Sequence, residues 1–324
     1  MSLLPFLDSF DHYNSAHSAQ KWGSSLVIVP GAGRRGTQAA LLDPNLKTVA
    51  LTPLTLGTLY MGGAYKDPAN TPFRVTNLVS GAMAGMQCAG DGRFYMIGID
   101  PTALFQSFVG SNATPPILGG RYYYLEFRAD ITPNNISVEM RINEQLVLSE
   151  TKVLSSTITV PHGAEWHTFS VQGSNSFLDD FYVDDTGYFG DIDVLCSRPA
   201  ARGSSTMWVP SPSGNANWFN VSDVIPDDNV TTVDSNNVGD SDFYDLGATV
   251  PGGVKVKATQ GLALANAANS GLVAYALQYS VGPTQSSDFF PVVGSYELAR
   301  DPRKGLVTLG ANLNSMEFGI IRTQ

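Results

Sequence analysis

The chain has 324 residues and a formal net charge of −10, from 19 Lys and Arg against 29 Asp and Glu. Charged residues make up 15% of the sequence and hydrophobic residues 43%. A nucleic-acid binder needs a basic surplus to displace phosphate counterions, and a disordered chain has little to bury, so the composition excludes both. The Glu, Lys and Leu spacing of coiled coils is missing, and the length suits about two domains.

The chain shows no targeting or membrane signal. Residues 1–8 lack the basic and apolar segments of a signal peptide. No apolar run approaches the ~18 residues of a membrane helix. The two cysteines, Cys88 and Cys196, are far apart and form no CxxC pair. We therefore expect no membrane partner, no disulfide framework and synthesis in a reducing cytoplasm.

Short strands dominate the first two thirds of the chain. Alternating runs predict strands at 25–29, 94–99, 121–130, 136–142, 146–148, 157–160, 167–171, 181–183 and 192–195. The clearest alternation is in 121–130 and 136–142, and the polar turn 132–135 between them predicts an antiparallel hairpin. Helical patterns are nearly absent, and 37–42 is the best short helix candidate.

Loop-forming residues divide the chain near its last third. Pro, Gly and Ser concentrate in 198–216, which predicts a linker there. Further β-like runs follow at 253–260, 272–280, 305–312 and 318–322. We therefore predict one β domain over 1–197 and a smaller one over 217–324.

A glycine-rich segment follows the predicted strand 25–29. Gly31-Ala32-Gly33-Arg34-Arg35-Gly36 has the GxGxxG spacing of a dinucleotide-binding loop. That fold also needs a following helix and an acidic residue about 20 positions on. Asp43-Pro44 ends any helix early, and no Asp or Glu occurs between Asp43 and Asp67. We predict a loop between strands that binds no cofactor, and Arg34-Arg35 is too short for a phosphate patch.

The most acidic segment contains Asp179, Asp180, Asp184 and Asp185. Carboxylate oxygens suit calcium, but the spacing is not that of an EF-hand loop. The same side chains are typical acceptors for the N–H groups of turns. We favour this structural role and assign no metal ligand, with calcium as the open alternative. The loops at 227–228 and 240–242 allow the same two interpretations.

Two further patterns resemble catalytic ones. Glu126 and Glu139 share the polar face of the predicted hairpin, as a glycosidase pair would, but cross-strand pairing with Arg128 and Arg141 explains all four residues. The histidines form the pairs His12/His17 and His162/His167. A spacing of five puts neither pair on one face of a helix or strand. We therefore predict no catalytic residue and no histidine metal site.

Several segments resemble a known family. Phe10-Asp11-His12-Tyr13-Asn14 with Trp22, together with 121–127, 138–143, 177–184 and 190–194, resembles the concanavalin A-like (laminin-G-like) sandwiches of tailed-bacteriophage structural proteins. Segments 208–218, 227–232, 239–245, 301–305 and 316–320 resemble the module that follows in those proteins. Tyr122 stands where the family usually has Trp. Glu144 stands where it usually has Gly, which weakens a two-residue turn.

Pattern and resemblance together predict an all-β protein of two jelly-roll-like β-sandwich domains, the first concanavalin A-like. The resemblance implies a non-enzymatic virion component, of the tail, its fibre or adsorption apparatus, or a head decoration. The alternative is a carbohydrate-binding module for host glycans, with Tyr95, Tyr122 and Tyr124 as candidate aromatics. A polysaccharide-degrading enzyme comes third.

Low charge and exposed sheet edges favour extensive protein–protein contact. We therefore expect a closed homo-oligomer that also contacts other virion proteins, and the resemblance favours three copies.

Overall fold

The computed structural model describes residues 6–45, 47–50, 58–68, 70–77, 80–158, 167–227, 230–247, 250–251, 253–266, 273–281, 284–292, 297–304 and 314–323. Its contacts divide the chain into two compact units, Met1–Val194 and Leu195–Gln324. Strands make up nearly all of the regular structure in the described ranges, which confirms the all-β prediction. Over the same ranges, no helix has the length and apolarity needed to cross a bilayer.

The first unit is a two-sheet sandwich. Its elements are β1 (Phe6–Asp8), α1 (Ser15–Trp22), β2 (Val27–Val29), β3 (Ala39–Leu42), β4 (Lys47–Ala50), β5 (Thr58–Lys66), β6 (Asn70–Asn77), β7 (Met83–Cys88), β8 (Phe94–Asp100), β9 (Gln106–Ala113), β10 (Tyr122–Ile131), β11 (Asn135–Ile142), β12 (Gln145–Val153), β13 (His167–Val171) and β14 (Ser176–Asp184). One sheet has the order β12-β11-β10-β5-β14-β3-β2, with β1 on β14, and the other β4-β13-β6-β7-β8-β9. Phe73 of the second sheet stacks on Phe127 of the first, with ring centroids 5.6 Å apart, so the core lies between the sheets.

The predicted hairpin is confirmed. β10 and β11 pair antiparallel from Leu125–Ile142 to Ile131–Ile136. The two-residue turn to β12 also forms, although it lacks glycine. Asn143 and Glu144 both take the left-handed conformation, with φ of 48° and 68°, as a turn with the twist of the flanking strands requires.

The helix prediction at 37–42 was wrong, because Ala39–Leu42 is a strand, β3, paired between β14 and β2. Three of its four residues are buried, so packing overrides helix propensity.

The helix α1 was not predicted from the sequence. Its Trp22 donates to Asp8 Oδ2 at 2.6 Å, and Lys21 Nζ lies 3.3 Å from the same oxygen. Asn14 Oδ1 accepts the N–H of His17 in the first turn. Trp22 also packs on Phe6 and Phe10 in the core, so these polar contacts and one buried aromatic side chain hold a helix that has no clear apolar period in its sequence.

The second unit contains β15 (Ala201–Thr206), β16 (Val209–Ser211), α2 (Asn217–Asn220), β17 (Thr232–Asp234), β18 (Ser241–Asp245), β19 (Ala258–Ala265), β20 (Val273–Val281), β21 (Thr284–Val292), β22 (Glu297–Lys304) and β23 (Glu317–Arg322). A five-stranded sheet has the order β15-β18-β23-β20-β21, and β16-β17 and β19-β22 form two-stranded sheets. Tyr275 and Leu277 form a small buried cluster on the larger sheet.

The predicted linker 198–216 requires a correction. β15 pairs with β18, and β16 pairs with β17, so much of this segment belongs to sheets of the second unit. These strands are rich in Ser and lie largely exposed, so their composition resembles that of a loop. Of the predicted later strands, 318–322 lies within β23 and 272–280 overlaps β20, whereas 305–312 lies outside the described residues.

Candidate functional site

The outer face of the first unit's eight-stranded sheet carries several of the residues singled out from the sequence, among them Tyr124, Glu126, Arg128 and Glu139. We call residues 185–194, which follow β14 and lie on this face, the strap. The covered patch consists of Tyr124, Glu126, Asp180 and Tyr182, which contact the strap or Arg34. The open groove lies on β10, β11 and β12 and encloses a cavity of about 120 Å³. Its lining residues are Arg128, Asp130, Ser137, Val138, Glu139, Ser149 and Thr151.

The open groove holds one guanidinium between carboxylates. Arg128 Nη1 donates to Glu139 Oε1 at 2.9 Å, and its Nη2 lies 3.5 Å from Asp130 Oδ2. This confirms the predicted cross-strand pairing of Arg128 with Glu139. Burial lowers the pKa of Arg128, but Glu139, Tyr60 and Asp130 together outweigh burial, so the pKa is raised on balance. The hydroxyls of Ser137 and Thr151 meet at 2.9 Å on the next pair of strands.

Two half-buried tyrosines border the open groove. Tyr60 lies opposite Arg128 in the β5–β10 register, and its ring packs edge-on against Tyr188 of the strap, with centroids 4.8 Å apart. Tyr188 donates to Glu139 Oε2 at 3.3 Å. The guanidinium of Arg141 lies 3.9 Å from the Tyr188 ring centre. The groove therefore combines charged groups, hydroxyls and an aromatic edge, and neither tyrosine was singled out from the sequence.

In the covered patch, Glu126 is fully buried. Its Oε1 accepts hydrogen bonds from Tyr182 Oη at 2.7 Å and from the N–H of Gly190 at 2.8 Å. Its Oε2 has no hydrogen-bond partner among the described residues. Burial raises the pKa of Glu126 above its ordinary value. Phe189 stacks on Tyr182 at 4.5 Å, so the strap covers this carboxylate and separates it from Glu139.

The candidate aromatics lie in different places. Tyr124 is buried and donates to the carbonyl of Asp180 at 3.1 Å, so its role is packing. Tyr122 is half-buried and donates to the carbonyl of Ala32. Tyr95 lies on β8 of the other sheet. The structure therefore does not bring these three residues together into one surface.

The acidic pair Asp179–Asp180 fastens the glycine-rich loop and the strap to the sheet. Asp179 Oδ2 accepts the N–H of Arg34, and Asp180 Oδ1 accepts that of Val194, both at 2.8 Å. Arg34 also donates to Asp191 Oδ2 at 2.8 Å. Burial raises the pKa of Asp179 to about 6 and that of Asp180 to about 7. Both carboxylates act as acceptors for loop N–H groups, the structural role favoured from the sequence.

The remaining aspartate loops also show internal hydrogen bonding. Asp184 Oδ2 accepts the N–H of Thr186 at 2.9 Å, and Asp227 Oδ1 accepts that of Thr231 at 3.1 Å. Asp242 Oδ2 accepts hydrogen bonds from Asn217 and Tyr244. Asp228 lies outside the described residues. Over the described ranges, no group of three or more His, Cys, Asp or Glu is placed to hold a metal ion.

The GxGxxG loop has strand β3 after it, where a dinucleotide fingerprint needs a helix. A Cβ at Gly33 would lie 2.6 Å from the carbonyl of Gln38, so close backbone approach explains the glycine. The loop contacts the acidic pair, the strap and Tyr122, and within residues 6–45 it leads into a strand and not into a helix whose N-terminus could receive a pyrophosphate.

The histidines do not form a common site in the described part of the chain. Burial lowers the pKa of His12 to about 3, with Lys21 adding to the effect. The ring of His17 contacts Asn14 at 2.9 Å. His162 lies outside the described residues, and only the backbone of His167 is described. Neither Cys88 nor Cys196 forms a disulfide bond.

A larger cavity of about 480 Å³ lies in the second unit, beside β16 and the loop after β17. Its walls include exposed Met207 and Val209 and the polar loop 234–240. Ser235 and Asn237 donate to Asp240 Oδ2, so the polar side chains of this loop bond largely to one another.

No family model and no curated protein matches this chain. Among solved structures, a carbohydrate esterase from the Shiga toxin-encoding bacteriophage phi24B is 10% identical, over 56% of this chain and 100% of that one, with a TM-score of 0.33. The galectin LEC-6 of Caenorhabditis elegans is 14% identical, over 44% and 94%, with a TM-score of 0.28. The CBM2 module of the evolved Dit protein of Lactobacillus casei BL23 phage J-1 is 11% identical, over 47% and 78%, with a TM-score of 0.27. These scores are low, and by themselves the likenesses assign neither a family nor a function.

Proposed function

We propose that this chain is a non-catalytic structural protein of a tailed-phage virion, in the tail or its adsorption apparatus, and that its first unit binds carbohydrate in the open groove. The virion setting is supported by the sequence resemblance, with synthesis in the host cytoplasm before assembly. The carbohydrate activity is supported by one observation above all, the partly exposed cluster of charged and hydroxyl groups beside the tyrosine pair.

The chemistry of the groove suits a polyhydroxylated ligand. Arg128 offers fixed donors, whereas Glu139 and Asp130 offer acceptors on either side of it. Neighbouring sugar hydroxyls donate and accept at similar spacing, so both sets of groups can be used together. The edge formed by Tyr60 and Tyr188 gives the apolar C–H face of a sugar a surface to pack on. The small cavity favours contact with one unit of a longer glycan.

A hydrolytic role has less support. A glycosidase needs two carboxylates flanking the scissile bond. Here Glu139 is in the groove, but Glu126 is buried beneath the strap and hydrogen-bonded to Tyr182 and Gly190. The carboxylates that a substrate in the groove would meet are therefore Glu139 and Asp130. Both are ion-paired to the same guanidinium, that of Arg128, and so do not flank a bond from opposite sides.

A glycan array that includes host-surface polysaccharides, followed by calorimetric titration of the best ligand, tests this proposal. We expect Thr151→Trp, which fills the groove, to weaken affinity by about tenfold or more, equal to about 1.4 kcal/mol. Lys152→Ala, one residue along β12, is the matched control and should bind like wild type. After incubation with the protein, the glycan ligand should show no new reducing ends, because the proposed groove binds carbohydrate without hydrolysing it. Absence of any glycan binding, or full binding by Thr151→Trp, contradicts the proposal.

A further inference from the structure

The edges of the first unit's sandwich are not equally protected against pairing with another strand. Among the described residues, the linear order of the two sheets ends at β2, β4, β12 and β9, and the three-residue β1 lies beside that order on β14. β2 has three residues, β4 has four and includes Lys47, and β12 carries Glu150 and Lys152. β9 has eight residues and contains neither a charged residue nor a proline. Soluble proteins usually blunt an edge by shortness, charge or proline, and β9 has none of these.

The surface formed by residues 104–113, which we call the β9 surface, is uncharged and includes three large apolar side chains that are exposed. Val109 is 65% exposed, and Leu104 and Phe105, just before the strand, are 97% and 63% exposed. The other exposed side chains of β9 are Gln106, Ser107, Ser111 and Asn112. An uncharged strip with large exposed side chains is typical of a protein contact.

In the loop before β9, Leu104 is exposed to solvent and has a backbone conformation that leucine disfavours. Leu104 and Phe105 both have left-handed backbones, with φ of 54° and 57°, which side chains with a Cβ disfavour. Asp100 fixes this loop, because its carboxylate accepts the N–H groups of Thr102 at 2.9 Å and Ser155 at 3.1 Å. A partner that buries Leu104 would offset the unfavourable exposure.

Among the described strands β9 pairs only with β8, and the N–H and C=O groups on the other side of such an edge strand are satisfied best by another strand. Glu150 accepts the N–H of Ser111 at 2.7 Å, so the stretch open to pairing is 106–110. The net charge of −10 makes two copies repel elsewhere, whereas the uncharged β9 surface lets them approach.

We propose that β9 is a homotypic interface, in which a second copy of the chain adds its own β9 antiparallel to this one and forms a two-fold dimer. Such a contact is isologous, so each copy uses the same residues and both edges are closed at once. Leu104 and Phe105 then lie at the two ends of the paired strands. This assembly does not depend on carbohydrate binding in the open groove.

Sedimentation velocity of the full chain across a concentration series tests the proposal. Wild type should sediment as a dimer, and Val109→Lys should raise the dissociation constant by about tenfold or more, because two lysines would face each other near the centre. Leu104→Ser should weaken the dimer in the same direction. Val153→Lys is the matched control, since Val153 is 68% exposed on the charged edge strand β12, and it should leave the dimer intact.

Three outcomes overturn the proposal: a wild-type monomer at every concentration, a wild-type trimer, or an unchanged dimer in both Val109→Lys and Leu104→Ser. Circular dichroism and melting temperature of each variant show that it is folded, as expected for exposed positions. A dimer that responds as expected in a protein that binds no glycan would leave this proposal standing and reject the function proposed for the groove.

Discussion

Glu126 and Glu139 lie on neighbouring strands and face the same side of the same sheet, each opposite an arginine in the register. Glu139 is partly exposed and bonded to Arg128. Glu126 is buried and bonded to Tyr182 and to the backbone of the strap. The strap therefore buries the half of the polar face that contains Glu126, where the side chains support the fold, and leaves the half that contains Glu139 accessible. The same cross-strand Glu–Arg pattern thus has two different roles, which depend on whether the strap covers it.

The largest effect that this comparison predicts is on stability in the covered patch. Glu126→Ala leaves the Tyr182 hydroxyl and the Gly190 N–H without their acceptor, so we expect a loss of about 2–4 kcal/mol in the free energy of unfolding. Glu126→Gln keeps an oxygen acceptor at this position and should lose less than about 1 kcal/mol. Urea denaturation measures both, and equal losses in the two variants would contradict the assigned hydrogen bonds.

The second prediction concerns pH. The pKa of Asp180 is raised to about 7 in the folded chain from an ordinary value of 3.8. The folded state therefore binds more protons between these values, so the free energy of unfolding should fall as pH rises through that window. Asp180→Asn keeps the acceptor for Val194, suits the left-handed φ of 48° and removes the charge.

We expect Asp180→Asn to be more stable than wild type at pH 8 by roughly 1–3 kcal/mol, and to reduce the slope of stability against pH. Asp91→Asn, an exposed turn position, is the control and should leave the slope unchanged. Denaturation at several pH values gives the free energy of unfolding of each variant as a function of pH. Parallel curves for Asp180→Asn and wild type would contradict the raised pKa of Asp180.

A smaller difference in stability is expected between variants of Arg141, which contacts the strap, and Arg128, which lies in the open groove. Arg141→Ala removes the stacking on Tyr188 of the strap and should cost about 0.5–1 kcal/mol. Arg128→Ala removes an ion pair that is partly exposed and should change stability by about 0.5 kcal/mol or less. Melting curves compare the two variants directly. The opposite order would show that the open groove supports the fold more than the strap does.

Residues 121–142 show what the sequence could predict about this face. Alternation fixes which side chains of β10 and β11 point outward, so the hairpin and the Arg128–Glu139 pair follow from the pattern. The strap could not be predicted in this way. Its position depends on long-range contacts such as Arg34 with Asp191 and Gly190 with Glu126, which no local period encodes. For the same reason, the role of Tyr188 at the groove was not evident from its sequence.

The measurement that tests the central claim most directly is the affinity of one bound oligosaccharide for Arg128→Ala and Glu126→Gln, determined side by side by calorimetry. Both variants replace an ionisable side chain on the same face of the same sheet. If the open groove binds the glycan and the covered patch only supports the fold, Arg128→Ala should lose about tenfold or more in affinity, and Glu126→Gln should bind like wild type. Loss of binding in Glu126→Gln with full binding in Arg128→Ala would contradict this account.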